Sequence, residues 1–253
     1  MIKGLYSAVS AMMMNAKRQE MLAHNISNMG TPGFKQVMSS ALDFIKTPVV
    51  NSPGGILKEN TQQYVGMLGL GVQNGPQFTD FSQGALDNTG NPLDLALQGD
   101  GFFTVKTPEG TRYTRDGRFL RDAQNNLVTV DGNQVLGKNN QPIKLPDGDV
   151  SVTADGTINS GAATVGKLAI GFFQNPDQEL VRSKGNLFSG PAQPTGKGVP
   201  QVAQGVLEAS NADPTSLMTE MTEIARSYEI AQKMVQNEDE LTGKAIATLG
   251  RMA

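Results

Sequence analysis

The residues of this chain that could do chemistry are few and poorly placed to do it. Its one histidine, His24, sits near the end of a helix-like run, off that helix's apolar seam. A Ser–His–Asp triad or a His-based metal site would have to be built around it there, and a solvated or packed imidazole is the simpler reading. Asp147, Asp149 and Asp155 superficially suggest a calcium loop. They lack the glycine at the sixth position and the closing glutamate of an EF-hand, so a turn is expected. Glu238, Asp239 and Glu240 are consecutive on a helix and point different ways, which gives a solvated face and not an acid–base pair. "GLGVQNG", Gly69 to Gly75, does not open a helix, and "LQGDGFF", Leu97 to Phe103, lacks the following helix and Lys-Ser/Thr of a phosphate loop. The first reads as loop and the second as a tight turn feeding a strand. "RYTRDGRFLR" carries Arg112, Arg115, Arg118 and Arg121, a modest protein-contact or nucleic-acid signal. No catalytic, metal or cofactor site is expected, and the chain does not read as an enzyme.

Composition points the same way. A net charge of −3 leaves no basic field to hold nucleic acid or anionic lipid. The absence of cysteine excludes a disulfide framework and thiolate metal sites. With 38% hydrophobic residues, 29 Gly and 13 Pro, the chain reads as turn-rich, β-rich globular material with additions. No stretch approaches the roughly 18 apolar residues of a membrane span, so no membrane insertion is expected. Lys17, Arg18 and Glu20 interrupt what would be a signal peptide's apolar region, so export by a cleaved signal is not expected.

Helical periodicity dominates both ends. Ile2, Leu5, Val9, Met12, Ala16, Gln19, Ala23 and Ile26 alternate spacings of three and four, the seam of a coiled coil. Asn28 to Gly33 ends that helix: Gly30 can take a positive φ, and Pro32 disfavours helix at Thr31. At the other end Asp213-Pro214 reads as an N-cap followed by proline at the first helical position. The second seam runs through Leu217, Met221, Ile224, Tyr228, Ala231, Val235, Glu238, Thr242, Ala245 and Leu249. A helix of roughly 35 residues is about 50 Å long, more than a small β domain needs to cover one face. Much of its apolar seam must find a partner elsewhere.

Between the helices the period changes. "GFFTVKT", "LVTV", "VSVT" and "KLAIGFF" are strand-like, and Asp-Gly pairs at 116–117, 131–132, 147–148 and 155–156 signal turns. A compact antiparallel β domain is expected from about Leu93 to Phe188. Residues 47 to 85, rich in Gly, Pro, Asn and Thr, suggest an extended hairpin-like arm or a long loop. "SGPAQPTGKGVPQ", Ser189 to Gln201, reads as a return linker. The expected organisation is an N-terminal heptad helix (1–33), an arm and linker region (34–90), a β-rich domain (91–190), a return linker (191–212) and a C-terminal heptad helix (213–253).

Three segments carry a resemblance. "NISNMGTPGFK", with Asn25, Asn28, Thr31, Pro32, Gly33, Phe34 and Lys35, resembles the N-terminal motif of the bacterial flagellar rod and hook proteins. Asn91 to Gly137, with Gly99, Gly101, Phe102, Phe103, Arg115 and Gly117, is similar to that family's core, and Gly205 to Leu241 to its C-terminal motif. The length resembles the distal-rod and proximal-rod types. The resemblance implies a mixed α and β fold in which the two terminal helices form a coiled coil, with a central antiparallel β-rich domain and an extended arm. It implies a basal-body rod subunit that self-assembles into a helical tube and transmits motor torque, the helices lining its inner layer. The seam residues would then be subunit-interface residues. Expected partners are copies of itself, other rod subunits, hook protein, the surrounding rings and the flagellar type III export apparatus. A hook-type or accessory axial protein is the alternative.

Overall fold

The computed structural model describes residues 2–43, 46–51, 63–69, 71–161, 163–191, 198 and 201–250. Helix α1 spans Ile2–Ser27, α2 is a single turn at Pro176–Glu179, and α3 spans Pro214–Leu249. The other described residues are strands, turns and connecting segments, so the chain is mixed α and β. α1 stops where the sequence predicts. Asn28 N–H donates to Asn25 O at 3.1 Å and Thr31 N–H to Asn28 O at 3.0 Å, closing short turns ahead of Pro32. The left-handed residue that follows is Gly33, at φ +66°, and not Gly30 as expected. Pro214 opens α3, and 36 residues at about 1.5 Å each give about 54 Å.

The chain forms two compact units. The first comprises Met1–His24, Met38–Gln77 and Thr215–Ala253. Within it Arg18 Nη2 lies 2.8 Å from Glu220 Oε1. A side chain at Gly4 would meet Glu238 Oε1 at 2.9 Å, so that carboxylate lies against the Gly4 backbone. Moving up α1 from Gly4 to Arg18 therefore moves down α3 from Glu238 to Glu220, and the two helices run antiparallel. Most of the described part of the Gly- and Pro-rich stretch is paired strand. Lys46–Asn51 pairs antiparallel with Gln63–Gly69, with a register shift between Val49 and Val50. Val37–Asp43 pairs with Val72–Thr79. Val72 N–H donates to Ser10 Oγ at 3.2 Å, which ties this ribbon to α1. Ile56-Leu57, and most of the stretch read as a return linker, lie outside the described residues.

The second unit comprises Asn25–Val37 and Phe78–Pro214. Its main sheet is 8-stranded and orders Val181–Arg182, Leu187–Ser189, Gly110–Thr114, Phe102–Thr107, Gln134–Val135, Leu127–Thr129 and Phe119–Arg121, with Ile170–Gly171 also on Phe102–Thr107. Every pairing in it is antiparallel. Strand alternation sends Phe103 and Phe102 to opposite faces. Phe103 joins Leu95, Val105, Phe119, Val135 and Leu168 in the larger core, with its ring edge-on to Phe119 at 5.0 Å. Phe102 joins Tyr113, Leu180 and Phe188 in a smaller one.

Two of the Asp-Gly pairs make the expected hairpins. Asp131-Gly132 joins Leu127–Thr129 to Gln134–Val135, and Asp155-Gly156 joins Ser151–Val152 to Thr157–Ser160. Asp116-Gly117 has a different purpose. A Cβ at Gly117 would overlap the Leu95 carbonyl oxygen, so only glycine allows this approach. Residues 201–208 belong to this unit as strands and not to a connecting segment. Gln201–Gln204 pairs with Leu95–Gln98, and Val206–Glu208 with Leu86–Asn88.

Candidate functional site

Two arrangements stand out: the faces of the long helices, and a polar cluster in the second unit. On α3 the seam positions Leu217, Ile224 and Ala231 are buried, and Met221, Tyr228, Val235, Glu238 and Ala245 are half-buried. Thr242 is exposed, and the Leu249 side chain lies outside the described residues. A second apolar stripe is left over: Ile230, Met234 and Leu241 are 63%, 54% and 55% exposed.

α1 presents itself differently. Its buried stripe is Ala8, Asn15, Leu22 and Asn25, with Met21 also buried at its edge and Gly4, Ala11 and Arg18 half-buried in line with the stripe. That set has the same three–four spacing as the seam read from sequence, shifted one residue toward the N-terminus. Glu238 Oε1 lies against Gly4, and Arg18 meets Glu220. On the adjacent face Leu5, Tyr6, Val9 and Met13 are 37%, 67%, 39% and 70% exposed. Met12 and Ile26 are half-buried, Ala16 and Ala23 exposed, and the Ile2 side chain lies outside the described residues. Among the described residues, each long helix thus has one buried stripe and a second apolar stripe that stays exposed.

The motif residues of the second unit converge on a residue the sequence reading did not single out, Glu208. Lys35 Nζ donates to Glu208 Oε1 at 2.5 Å and to Ser82 O at 2.6 Å. Arg115 Nη1 donates to Glu208 Oε2 at 3.1 Å, and its Nη2 to Gly99 O at 2.7 Å. Gly84 N–H completes the carboxylate at 3.1 Å. All three side chains are buried. Burial pulls the Lys35 ammonium and the Arg115 guanidinium below their ordinary pKa values, and the Glu208 carboxylate opposes that shift in both. Arg115 also lies over the Phe102 ring, 5.2 Å from its centroid, and Arg182 over Phe34 at 4.5 Å. Gly33 N–H donates to Glu208 O at 2.7 Å, and a Cβ at Gly33 would overlap the backbone of Arg115. Pro32 O accepts from Asn186 Nδ2 at 2.9 Å. Thr31 Oγ1 lies 3.5 Å from Asn28 Oδ1. Gly99 and Gly101 take φ of +83° and +132°, which lets the chain turn into the Phe102 strand. The one signal that could have marked Glu208 is a carboxylate inside the strand-like "GVLEA".

The candidates for chemistry disperse. Arg112 pairs with Glu109, Arg118 with Asp116 and Arg121 with Asp147, at 3.4, 2.7 and 3.8 Å. The Asp155 carboxylate is taken up by Thr153, Thr157 and Lys167. Lys244 pairs with Glu240 at 2.8 Å. Among the described residues no group of three or more His, Cys, Asp or Glu could hold a metal, and no helix is long and apolar enough to cross a membrane.

Three stretches of the chain match known protein families. Residues 5–35 match the family described as "Flagella basal body rod protein", 96–160 the "Flagellar hook protein FlgE/F/G D1 domain", and 203–248 the "Flagellar basal body rod FlgEFG protein C-terminal". The chain is 34% identical over 264 residues to the flagellar basal-body rod protein FlgG of Bacillus subtilis, covering 95% of this chain and 97% of that one. It is 34% identical over 260 residues to the basal-body rod protein FlgF of Caulobacter vibrioides, covering 100% of both. It is 31% identical over 261 residues to the FlgG of Borreliella burgdorferi, covering 97% of this chain and 98% of that one. Similarity of this extent, spanning both helices and the β unit, places the chain in the flagellar basal-body rod protein family.

Proposed function

We propose that this chain is a structural subunit of the flagellar rod, polymerising with copies of itself into a helical tube that passes motor torque toward hook and filament. The observation that carries this reading is the doubled apolar character of each long helix. One stripe of α1 and one of α3 are covered within the subunit. Leu5, Val9 and Met13 on α1, and Ile230, Met234 and Leu241 on α3, remain exposed, Met13 and Ile230 most of all. Long helices draw most of their stability from packing, so uncovered stripes this long call for further copies. The antiparallel helices pack as a coiled coil, and neighbouring coiled coils make the inner layer of the tube. Residues 46–69 act as an arm that reaches neighbouring subunits in the wall. Other rod subunits, hook protein, the surrounding rings and the type III export apparatus are its partners. The role is structural, with no reaction and no cofactor. Labelling the chain and imaging purified basal bodies by electron microscopy tests this: label along the axial rod is expected, and label confined elsewhere would overturn it.

A further inference from the structure

The buried cluster around Glu208 joins segments far apart in the sequence. Apolar side chains of similar volume often hold a core as well as buried ions do, and in some proteins what the ions add is a single permitted arrangement. Here that arrangement fixes two short segments, 33–36 after α1 and 208–211 before α3. At one end Gly33 N–H donates to Glu208 O at 2.7 Å, while Lys35 Nζ meets Glu208 Oε1 at 2.5 Å. At the other, Gln36 N–H donates to Asn211 Oδ1 at 2.8 Å, and Asn211 N–H donates to Phe34 O at 3.4 Å. Both segments are tied to a third. Lys35 reaches Ser82 O, Gly84 N–H reaches Glu208, and Asn211 Nδ2 donates to Asp80 O at 2.9 Å. Arg115 fastens the carboxylate to the main sheet.

We propose that Lys35, Arg115 and Glu208 are positioning residues for assembly: they hold the chain's exit from α1 and its entry to α3 at one fixed separation in the free subunit. This rests on the rod-subunit reading. The helix pair leaves from these segments, so every copy offers it from the same two anchor points. One buried carboxylate faces two cations, so the cluster tolerates loss of Lys35 better than loss of Glu208. Lys35→Met leaves Arg115 and Glu208 as a balanced pair and fills the space of the lysine stem.

The test is hydrogen exchange on the full-length monomer, then electron microscopy of its polymers. In Lys35→Met the amides of Gly33, Gln36 and Asn211 are expected to exchange about tenfold faster, while Thr104 and Leu136 in the main sheet change less than about twofold. Polymers of the variant are expected to lose uniform helical order. Asn211→Ala, which touches no buried charge, is measured alongside and is expected to free Gln36 while leaving Gly33 protected. Unchanged exchange at Gly33, Gln36 and Asn211 in Lys35→Met overturns the proposal, as do polymers of parental order from a subunit whose anchor segments have loosened. If Lys35→Met does not fold, Asn211→Ala decides: Gly33 still protected supports the proposal, and loss of protection at Gly33 overturns it, because the Glu208 cluster would then not hold its segment. If the parent chain itself forms no polymer, the rod-subunit reading fails, and the exchange data decide this one alone.

Discussion

Asn25 and Val37 exchange two hydrogen bonds: Asn25 Nδ2 donates to Val37 O at 2.8 Å, and Val37 N–H donates to Asn25 Oδ1 at 3.0 Å. The side-chain amide thus takes the place of a neighbouring strand, satisfying both backbone groups of the first residue of the strand Val37–Asp43. Asn25 is fully buried. An aspartate there keeps the acceptor but turns a second oxygen on the Val37 carbonyl. Asn25→Asp is therefore expected to destabilise the subunit by about 1–3 kcal/mol, and at least as much as Asn25→Ala. Denaturant unfolding of the monomer reads both; equal stability of all three chains would dismiss the role given to this pair.

Gly33 and Gly117 are required by crowding as well as conformation. Gly33 has φ +66° and the Arg115 backbone where a Cβ would lie, and Gly117 abuts the Leu95 carbonyl. Alanine at either site is expected to cost about 3 kcal/mol or more, since backbone must move. Gly30, only three residues before Gly33, has open space around it and no positive φ. Gly30→Ala is expected to stay within about 0.5 kcal/mol of the parent. Thermal unfolding of the three variants separates these outcomes.

The two stripes of α3 predict different failures. Ala231 is already buried within the chain, so Ala231→Asp is expected to loosen the helix pair in the monomer and to block polymerisation. Ile230→Asp, on the uncovered stripe, is expected to leave monomer helicity unchanged by circular dichroism and still block polymerisation in a sedimentation assay. Asp239→Ala, exposed and off both stripes, is expected to polymerise like the parent. Normal polymers from Ile230→Asp would remove the second stripe from the interface.

Removing residues 46–69 takes out both strands of the distal ribbon together and leaves Val37–Asp43 free to pair with Val72–Thr79. Secretion and helix pairing are expected to survive. The polymer is expected to become more flexible or curved, because contacts at large radius resist bending most. Filament curvature by electron microscopy, deletion against parent, is the measurement, and equally straight, stiff tubes would refute the arm.

Asp155 gives a pH signature. The Thr153 hydroxyl first, then Lys167 and Thr157, hold its carboxylate well below the usual carboxylate range. A depressed carboxylate pKa contributes stability above the unfolded value, near 3.8, and that contribution fades as pH falls toward the folded value. In Thr153→Ala the carboxyl resonance of Asp155 is expected to titrate at higher pH than in the parent, by NMR. An unmoved midpoint would show that the hydroxyl is not the main cause.

Local signals settled much of this protein. α1 ends ahead of Thr31-Pro32-Gly33 and α3 begins at Pro214 because proline restrains its own φ and the residue before it, whatever surrounds them. Asp131-Gly132 and Asp155-Gly156 became hairpin turns for an equally local reason. The three–four spacing declared two long amphipathic helices, yet with apolar residues on neighbouring faces it could not say which face of α1 the chain itself would cover. That choice is visible only in the folded chain, where Ala8, Asn15 and Leu22 are buried and Tyr6 and Met13 stay exposed. Gly117 looked like a turn residue until the Leu95 carbonyl was brought against it. Residues 201–208 became strands because Leu86–Asn88 and Leu95–Gln98 offered edges more than a hundred residues away. Lys35 and Glu208 stand 173 positions apart. Neither shows its partner in its own neighbourhood of sequence, and only the folded chain, by excluding water from both, makes their pairing obligatory.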